Sequence, residues 1–513
     1  MRALSGPPAT PFVFERSILS FPLRLHPDRF LPPDPAERAA ARAVYEETAG
    51  LPIVSPHGHV DPALLAEDLP FPEPTDLLIT PDHYVFRMLH SRGVDLNALG
   101  IPRADGTRAA TDPRAVWRTF CAHWHLFAGT PTRAWLEYVL HELFGVRETP
   151  SAETADRLYE HVAERLASPE YRPRALFDRF GIETLATTDA ATDALAHHAA
   201  LADDAWNAGP AGPRVIPTFR PDALVCVSRP DWPALAARLG DLAGVPVEGY
   251  ASFVAALRRR RADFRALGAV AADHGAATPR TGWLPEAERD ALFTRALDGE
   301  ATEADEAAFT AHMLMAFAEM STEDGLVMQL HVGSCRNHDV PLFERFGPDK
   351  GADIPLATEF TRSLRPLLSE FGSAPAFRMI AFTLDESTYA RELAPLAGHY
   401  PSLVLGPAWW FHDSVEGMLR YRERTTETAG FYNTAGFNDD TRAFCSIPAR
   451  HDLARRVDAH YLGRLVARHQ LSLAEAREVG CALAYDLPRQ AYRLDERATE
   501  ADAPVLHSDG VAS

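Results

Sequence analysis

The sequence predicts an α/β protein built as a (β/α)8 barrel with an α-helical insertion after the first strand, and three observations carry that prediction. Eight short apolar or β-branched runs of strand length recur along the chain. Alanine-, leucine- and charge-rich segments of helical periodicity separate most of them, and one interval is too long to be a single crossover. Strand-then-helix order implies a parallel sheet, and eight such units suggest a barrel. With 513 residues, 46% of them hydrophobic, the chain can bury a core larger than one ordinary domain requires.

Residues 1–50 read as a proline-rich lead-in with one helix: "DPAERAAARAVYEETAG" offers Asp34 as N-cap, Pro35 at the first helical position and Gly50 after the end. The strand runs are "LPIVS" (51–55), "IETLATT" (182–188), "RVIPTF" (214–219), "LGAVAA" (267–272), "LVMQLH" (326–331), "RMIAFTL" (378–384), "SLVLG" (402–406) and "GFYNTAG" (430–436). Residues 60–175 hold "YVFRMLHSRGV" and "AVWRTFCAHWHLF", both helical in pattern, and read as the insertion. The barrel then comprises residues 51–59 and 176–450, and residues 451–513 read as closing helices and an acidic tail.

The 71 acidic and 51 basic residues leave a formal charge of −20, which argues against a nucleic-acid backbone or an anionic membrane surface as partner. No stretch approaches the roughly 18 uninterrupted apolar residues of a membrane span, and the first twenty residues lack a secretory apolar region, so the expectation is a cytoplasmic protein. A homo-oligomer is left open. Five cysteines without a Cys-x-x-Cys pair suggest neither a disulfide framework nor a thiolate cage. A bound metal would therefore take His and carboxylate ligands. Cys335 has no local motif that would make it a nucleophile.

Chemistry in such a barrel belongs at the C-terminal strand ends, where the βα loops converge on one mouth. Strand one ends in His57-Gly58-His59, two in Asp189, three in Arg220-Pro221-Asp222 and four in Asp273-His274-Gly275. Strand five ends in His331, followed by Arg336-Asn337, and six in Asp385-Glu386. Seven gives Trp409-Trp410-Phe411-His412-Asp413, and eight gives Asn438-Asp439-Asp440 with Arg442. In an extended strand residues i and i+2 face one side, so two imidazoles can reach one ion. Neutral imidazoles and a carboxylate suit zinc or a similar divalent metal. His-x-His alone is a weak signal among 21 histidines, and His123-Trp124-His125 is a second copy. There the context is helical, the side chains should point about 200° apart, and packing is the expected role. His331 and Asp440 strengthen the first pair, because four ligand-capable residues then fall at one mouth.

These motifs occur in a series that resembles the uronate isomerases (glucuronate isomerase) of the amidohydrolase superfamily: "HGHVDP" at 57, "PDHYVFRML" at 81, "LATTD" at 185, "FRPD" at 219, "QLHVGSCRN" at 329, "WWFHD" at 409 and "DDTRAF" at 439. The resemblance spans roughly residues 20–480. It implies a distorted (β/α)8 barrel of the metal-dependent hydrolase type, one divalent metal ion, commonly zinc, and a hexuronate as the small-molecule substrate. The implied reaction interconverts D-glucuronate with D-fructuronate or D-galacturonate with D-tagaturonate. By the same resemblance His57, His59 and Asp440 bind the metal, with His331 a ligand or a metal-adjacent group. In Asp82-His83-Tyr84, Tyr84 is the proton-transfer group with His83 a catalytic candidate beside it, Arg442 stands beside Asp440, and Arg220 and Arg336 lie near the substrate. The chain departs from the family at Ser55-Pro56-His57-Gly58-His59-Val60, where "DYHCHL" is common, and at His412, usually Asn.

An aldose-to-ketose conversion moves a proton from C2 to C1 through an enediol, and needs a base and an oxyanion stabiliser. Asp440 could take the ring hydroxyl proton, and Tyr84 could act as base if a nearby Arg442 or metal favours its phenolate. The arginines answer the substrate carboxylate, since guanidinium binds carboxylate bidentately, but each could equally be tied up by a neighbouring acid. Trp409 and Trp410 could wall a sugar face or simply pack the barrel top. Two rival readings are a mononuclear amidohydrolase acting on an amide or ester and a non-catalytic sugar-acid binding protein. Strand six lacks the histidine of a binuclear hydrolytic cradle, which disfavours the first.

Overall fold

The computed structural model describes residues 22–209 and 212–496. The first part of the lead-in and the acidic tail fall outside the described residues. Two compact units divide the described chain. One comprises Pro27–Leu69, Pro173–Cys335 and the chain from Ile354 onward; the other comprises 22–26, Pro70–Arg172 and Arg336–Asp353. Residues 336–353, counted with the barrel on sequence, thus pack in the helical unit, and 60–69 pack in the barrel unit.

Seven parallel strands follow one another in chain order around the barrel unit. β1 (Ile53–Ser55) pairs with β2 (Ile182–Ala186), and β2 with β3 (Val215–Ile216). Both β2 and β3 break and resume, at Asp189–Ala190 and Phe219–Arg220, and the continuations pair with each other. Pro217 stands in the gap of β3, where it has no N–H to give the ladder. β4 (Ala271–Ala276) joins through Phe219 opposite Ala272, and β5 (Val327–Val332), β6 (Met379–Thr383) and β7 (Leu403–Leu405) complete the row. β5 and β6 are buried along their whole length, as strands of a parallel barrel must be.

Two expectations are corrected. The eighth strand over 430–436 is not a ladder: Thr434 makes one parallel bridge to Leu405. Gly430 and Gly436 flank it with φ of +70° and +71°, which extended strand backbone does not adopt. β4 lies four residues later than 267–272, because Leu267 caps the preceding helix Tyr250–Ala266 and Gly268 turns the chain at φ +94°. Asp273, His274 and Gly275 consequently lie inside the strand. At the mouth, the turn after β1 meets the segment after the eighth unit through two backbone hydrogen bonds, His59 N to Thr441 O (3.0 Å) and Asp440 N to His57 O (3.3 Å).

Val54, Ala186, Ile216, Ala271, Val327, Ile380 and Val404 fill the core with Tyr492. The Tyr492 hydroxyl donates to Gln329 Oε1 (2.7 Å) and accepts from Asn438 Nδ2 (3.3 Å), so the carbonyl end of the Gln329 amide is partnered in this apolar interior. The lead-in helix Pro35–Thr48 starts where its cap predicts: Asp34 Oδ1 accepts from the amides of Ala36 (2.9 Å) and Glu37 (3.0 Å). It packs along the closing helix Ile447–Ala467.

The helical unit contains helices His83–His90, Pro113–Ala122, Pro131–Tyr138 and Ala155–Leu166 around Trp117, Phe120, Phe127 and Trp135. No helix among the described residues is long and apolar enough to cross a membrane. Helix Pro113–Ala122 ends at His123, whose Nδ1–H donates to Thr119 O (2.8 Å). The change to a 3-10 turn at Trp124 alters the expected geometry: His123 and His125 stack, ring centroids 6.2 Å apart, rather than pointing to opposite sides.

Candidate active site

β1 is only three residues long, and the turn after it delivers two imidazoles to the mouth. The turn is clamped from both neighbours: Thr188 Oγ1 donates to Gly58 O (2.8 Å) from the β2 side, and Thr441 O accepts the His59 amide from the other. His59 Nε2 lies 3.0 Å and His57 Nε2 3.4 Å from the same atom, Asp440 Oδ1. Asp440 sits at φ +41°, a left-handed conformation that short polar Asp tolerates better than most residues. Its other oxygen is capped by the Trp409 indole N–H at 2.7 Å. One carboxylate oxygen therefore faces two histidines while the other is held in place.

A second set adjoins the first. The His331 ring stacks on His57 with centroids 4.8 Å apart, and its Nδ1–H donates to Asp273 Oδ1 at 2.6 Å. Asp273 Oδ2 lies 3.6 Å from Arg220 Nε, which also donates to Asp222 Oδ2 at 2.8 Å. The buried Nδ1 of His57 and Nε2 of His331 find no hydrogen-bond partner among the described residues.

Electrostatics follow from these contacts. Burial opposes charge on Asp440, but attraction to His57 and hydrogen bonds to both histidines hold its carboxyl well below the usual range. Burial likewise works against protonation of His57, yet Asp440 outweighs it and raises the imidazole, whereas burial wins at His59 and lowers it. Burial also lowers His331. Asp273 stays ionised despite its burial, drawn down by His331 and Arg220.

The barrel unit thus brings together His57, His59, His331 and Asp440, with Arg442 exposed two residues beyond Asp440. Trp409 is only 6% exposed and packs on His331 (4.7 Å) and Trp410 (5.3 Å, rings 7° from parallel), so it belongs to the barrel top and to the support of Asp440. Trp410 is partly exposed. Arg220 stands between Asp222 and Asp273, one of the acid-paired alternatives open on sequence. His412, where the family usually has Asn, lies 2.9 Å through Nε2 from Leu384 O and 3.4 Å through Nδ1 from Glu386.

Three candidates, His83, Tyr84 and Arg336, lie in the helical unit. Asp82 caps helix His83–His90, accepting from the Tyr84 amide (2.8 Å). The Tyr84 ring is buried against His83 (4.5 Å, stacked) and Trp135 (5.6 Å, edge-on). Arg336 Nη1 donates to Asp353 Oδ2 (2.9 Å).

On sequence Asp222 is a possible ion-pair partner for an arginine, and Asp273 is a strand-end acid without a role. The signal for Asp273 was its place two residues before Gly275, which pairs in register with His331, and it became visible only once β4 was shifted.

The donor atoms of His57, His59 and Asp440 all lie within 4.8 Å of one another, and so do those of His57, Asp273 and His331. Two imidazoles and a carboxylate, with one ring nitrogen of His57 and one of the adjoining His331 buried and unpartnered among the described residues, fit a divalent cation. Fold and cluster together define a parallel α/β barrel with a His/His/Asp cluster at its mouth, the arrangement of a metal-assisted enzyme. The glucuronate isomerase family profile matches residues 29–486, and the chain belongs to that family. A uronate isomerase of Rhizorhabdus wittichii is 56% identical over 476 residues, covering 92% of this chain and 99% of that protein. The crystal structure of glucuronate isomerase from Caulobacter crescentus superposes with a TM-score of 0.90 at 51% identity, over 93% of this chain and 98% of that one. The uronate isomerase structure from Thermotoga maritima gives 0.84 at 28% identity, over 91% and 99%.

Proposed function

We propose that the chain is a uronate isomerase, converting D-glucuronate to D-fructuronate, D-galacturonate to D-tagaturonate, or both. The observation that carries the proposal is the convergence of His57, His59 and Asp440 from the first and last units of the barrel, in a chain of the glucuronate isomerase family. His57, His59 and Asp440 would hold one divalent ion, zinc by donor type, with His331 beside them. When bound, the ion supplies Lewis-acid polarisation of the substrate oxygens.

The residues supply the proton transfers. The Asp440 carboxylate, held ionised, takes the anomeric hydroxyl proton as the ring opens, and a proton returns to the ring oxygen. Tyr84 then removes the C2 proton while O1 takes one up, leaving an enediol, and delivery of a proton to C1 with loss of one from O2 gives the ketose, with no net change in formula. Arg442 and Arg336 are assigned to the substrate carboxylate, and Trp410 to the sugar face. Arg220, already flanked by two carboxylates, is assigned to a substrate hydroxyl.

Purified, metal-replete protein incubated with each hexuronate should form the corresponding ketose. Absence of ketose from both would overturn the proposal. Loss of solvent-proton exchange at C2 in Tyr84→Phe is the expected mark of the base, and unchanged exchange would remove Tyr84 from that role.

A further inference from the structure

Behind the histidines, one chain of contacts crosses three strands. It begins at Gly275 on β4, whose amide donates to Asp222 Oδ1 (2.9 Å), and where a Cβ would stand 2.6 Å from Asp222 Oδ2. Only a residue without a side chain leaves room for that carboxylate. Asp222 Oδ2 accepts from Arg220 Nε, the same nitrogen lies 3.6 Å from Asp273 Oδ2, and Asp273 Oδ1 accepts from His331 Nδ1. At the far end, His331 Nε2 is buried and finds no hydrogen-bond partner among the described residues.

We infer that Asp222 and Gly275 are positioning residues for His331, acting through Arg220 and Asp273. Gly275 admits the Asp222 carboxylate. Asp222 fixes the guanidinium of Arg220 between two acids, and Arg220 fixes the rotamer of Asp273. Asp273 in turn holds the neutral imidazole as the Nδ1–H tautomer, so that Nε2 offers a lone pair. An O–H donor of the substrate can meet that lone pair, whereas a carbonyl oxygen cannot. Each link is a contact between buried or half-buried groups on successive strands, so a displacement at Gly275 is passed on rather than absorbed by solvent. A merely structural ion pair would need neither the glycine nor a particular tautomer.

The inference rests on the isomerase reading only for its effect on turnover; the tautomer is independent of it. Full-length protein carrying ring-15N-histidine is compared as wild type, Asp222→Asn and Gly275→Ala, with His331→Gln to assign the resonance. Wild type should show a protonated Nδ1 and an unprotonated Nε2. In both variants the His331 signal should shift toward a mixture of tautomers, and kcat for the better hexuronate should fall about tenfold with KM within twofold. Asp222→Asn is isosteric and keeps the measurement available if Gly275→Ala folds poorly. A pure Nδ1–H tautomer and wild-type kcat in Asp222→Asn would overturn the inference. Absence of ketose with wild type would instead remove the isomerase reading, and the tautomer shift would still decide the positioning role.

Discussion

The chain contains two His-x-His segments whose ring separations barely differ, 5.3 Å for His57 and His59 and 6.2 Å for His123 and His125, yet only one is part of a cation-sized cluster among the described residues. Spacing in sequence, and even spacing in space, does not make a ligand pair. The first pair meets a third group, Asp440, that arrives from the other end of the barrel, and neighbouring strands fix its turn. The second pair closes a helix, with His123 bonded back to its own backbone and His125 exposed.

The largest way to break this contrast is to remove the third group. Asp440→Asn should abolish metal retention and lower ketose formation by roughly 10²–10⁴-fold, because the proposed reading makes the residue both ligand and proton acceptor; elemental analysis beside the ketose assay checks both. Unchanged metal content would mean the ion sits elsewhere. Next, His59→Ala should lose roughly 10–100-fold in metal affinity, read by competition with a chelator, while His123→Ala stays within twofold of wild type. Equal losses at the two positions would erase the distinction.

Support from β2 gives a pH-dependent test. Burial pushes the Asp189 carboxyl up to about 7, although Thr187 Oγ1 donates to it at 2.7 Å. A carboxyl whose folded pKa is raised contributes its stability at low pH and loses it as pH climbs through the folded value. Asp189→Asn should therefore gain on wild type between pH 4 and 7, by at least about 1.4 kcal/mol, and no further above that. Thermal unfolding at pH 4, 6 and 8 measures it, and a gap that narrows with rising pH would contradict the assignment. The smallest effect is expected at Gly58. A Cβ there would meet Asp439 Oδ1, Thr441 O and Ala186 O at 3.5–3.6 Å, ordinary contact distances. Gly58→Ala should keep activity within twofold, which would show that the glycine between the histidines is not what makes the site.

Sequence and structure agree most closely where apolar runs are long and flanked by breakers. "LVMQLH" and "RMIAFTL" match β5 and β6 within a residue at each end, because Val, Ile, Leu and Phe suit a strand buried on both faces. Strand four was misplaced because Ala271, Ala272 and Gly275 carry little strand signal, while Leu267 and Val270 attract the eye to the helix end before it. Strand eight failed for a different reason: Tyr432, Asn433 and Thr434 look extended, but the flanking glycines turn the chain at both sides. The cluster was legible because His57, His59 and Asp440 are reactive residue types at predicted strand ends. What remained hidden were relations that no local pattern encodes, such as the Trp409 indole on Asp440, 31 residues away, and the Gly275 opening that seats Asp222.

The two backbone bonds at the mouth join His57 and His59 to Asp440 and Thr441, so the cluster and the seam between the first and eighth units are the same place. Residues 57 and 440 are far apart in sequence, so bringing them together carries the loop-closure entropy that makes non-local pairings slow to fold. On the proposed reading, tight retention of an ion here would therefore report that the seam has formed.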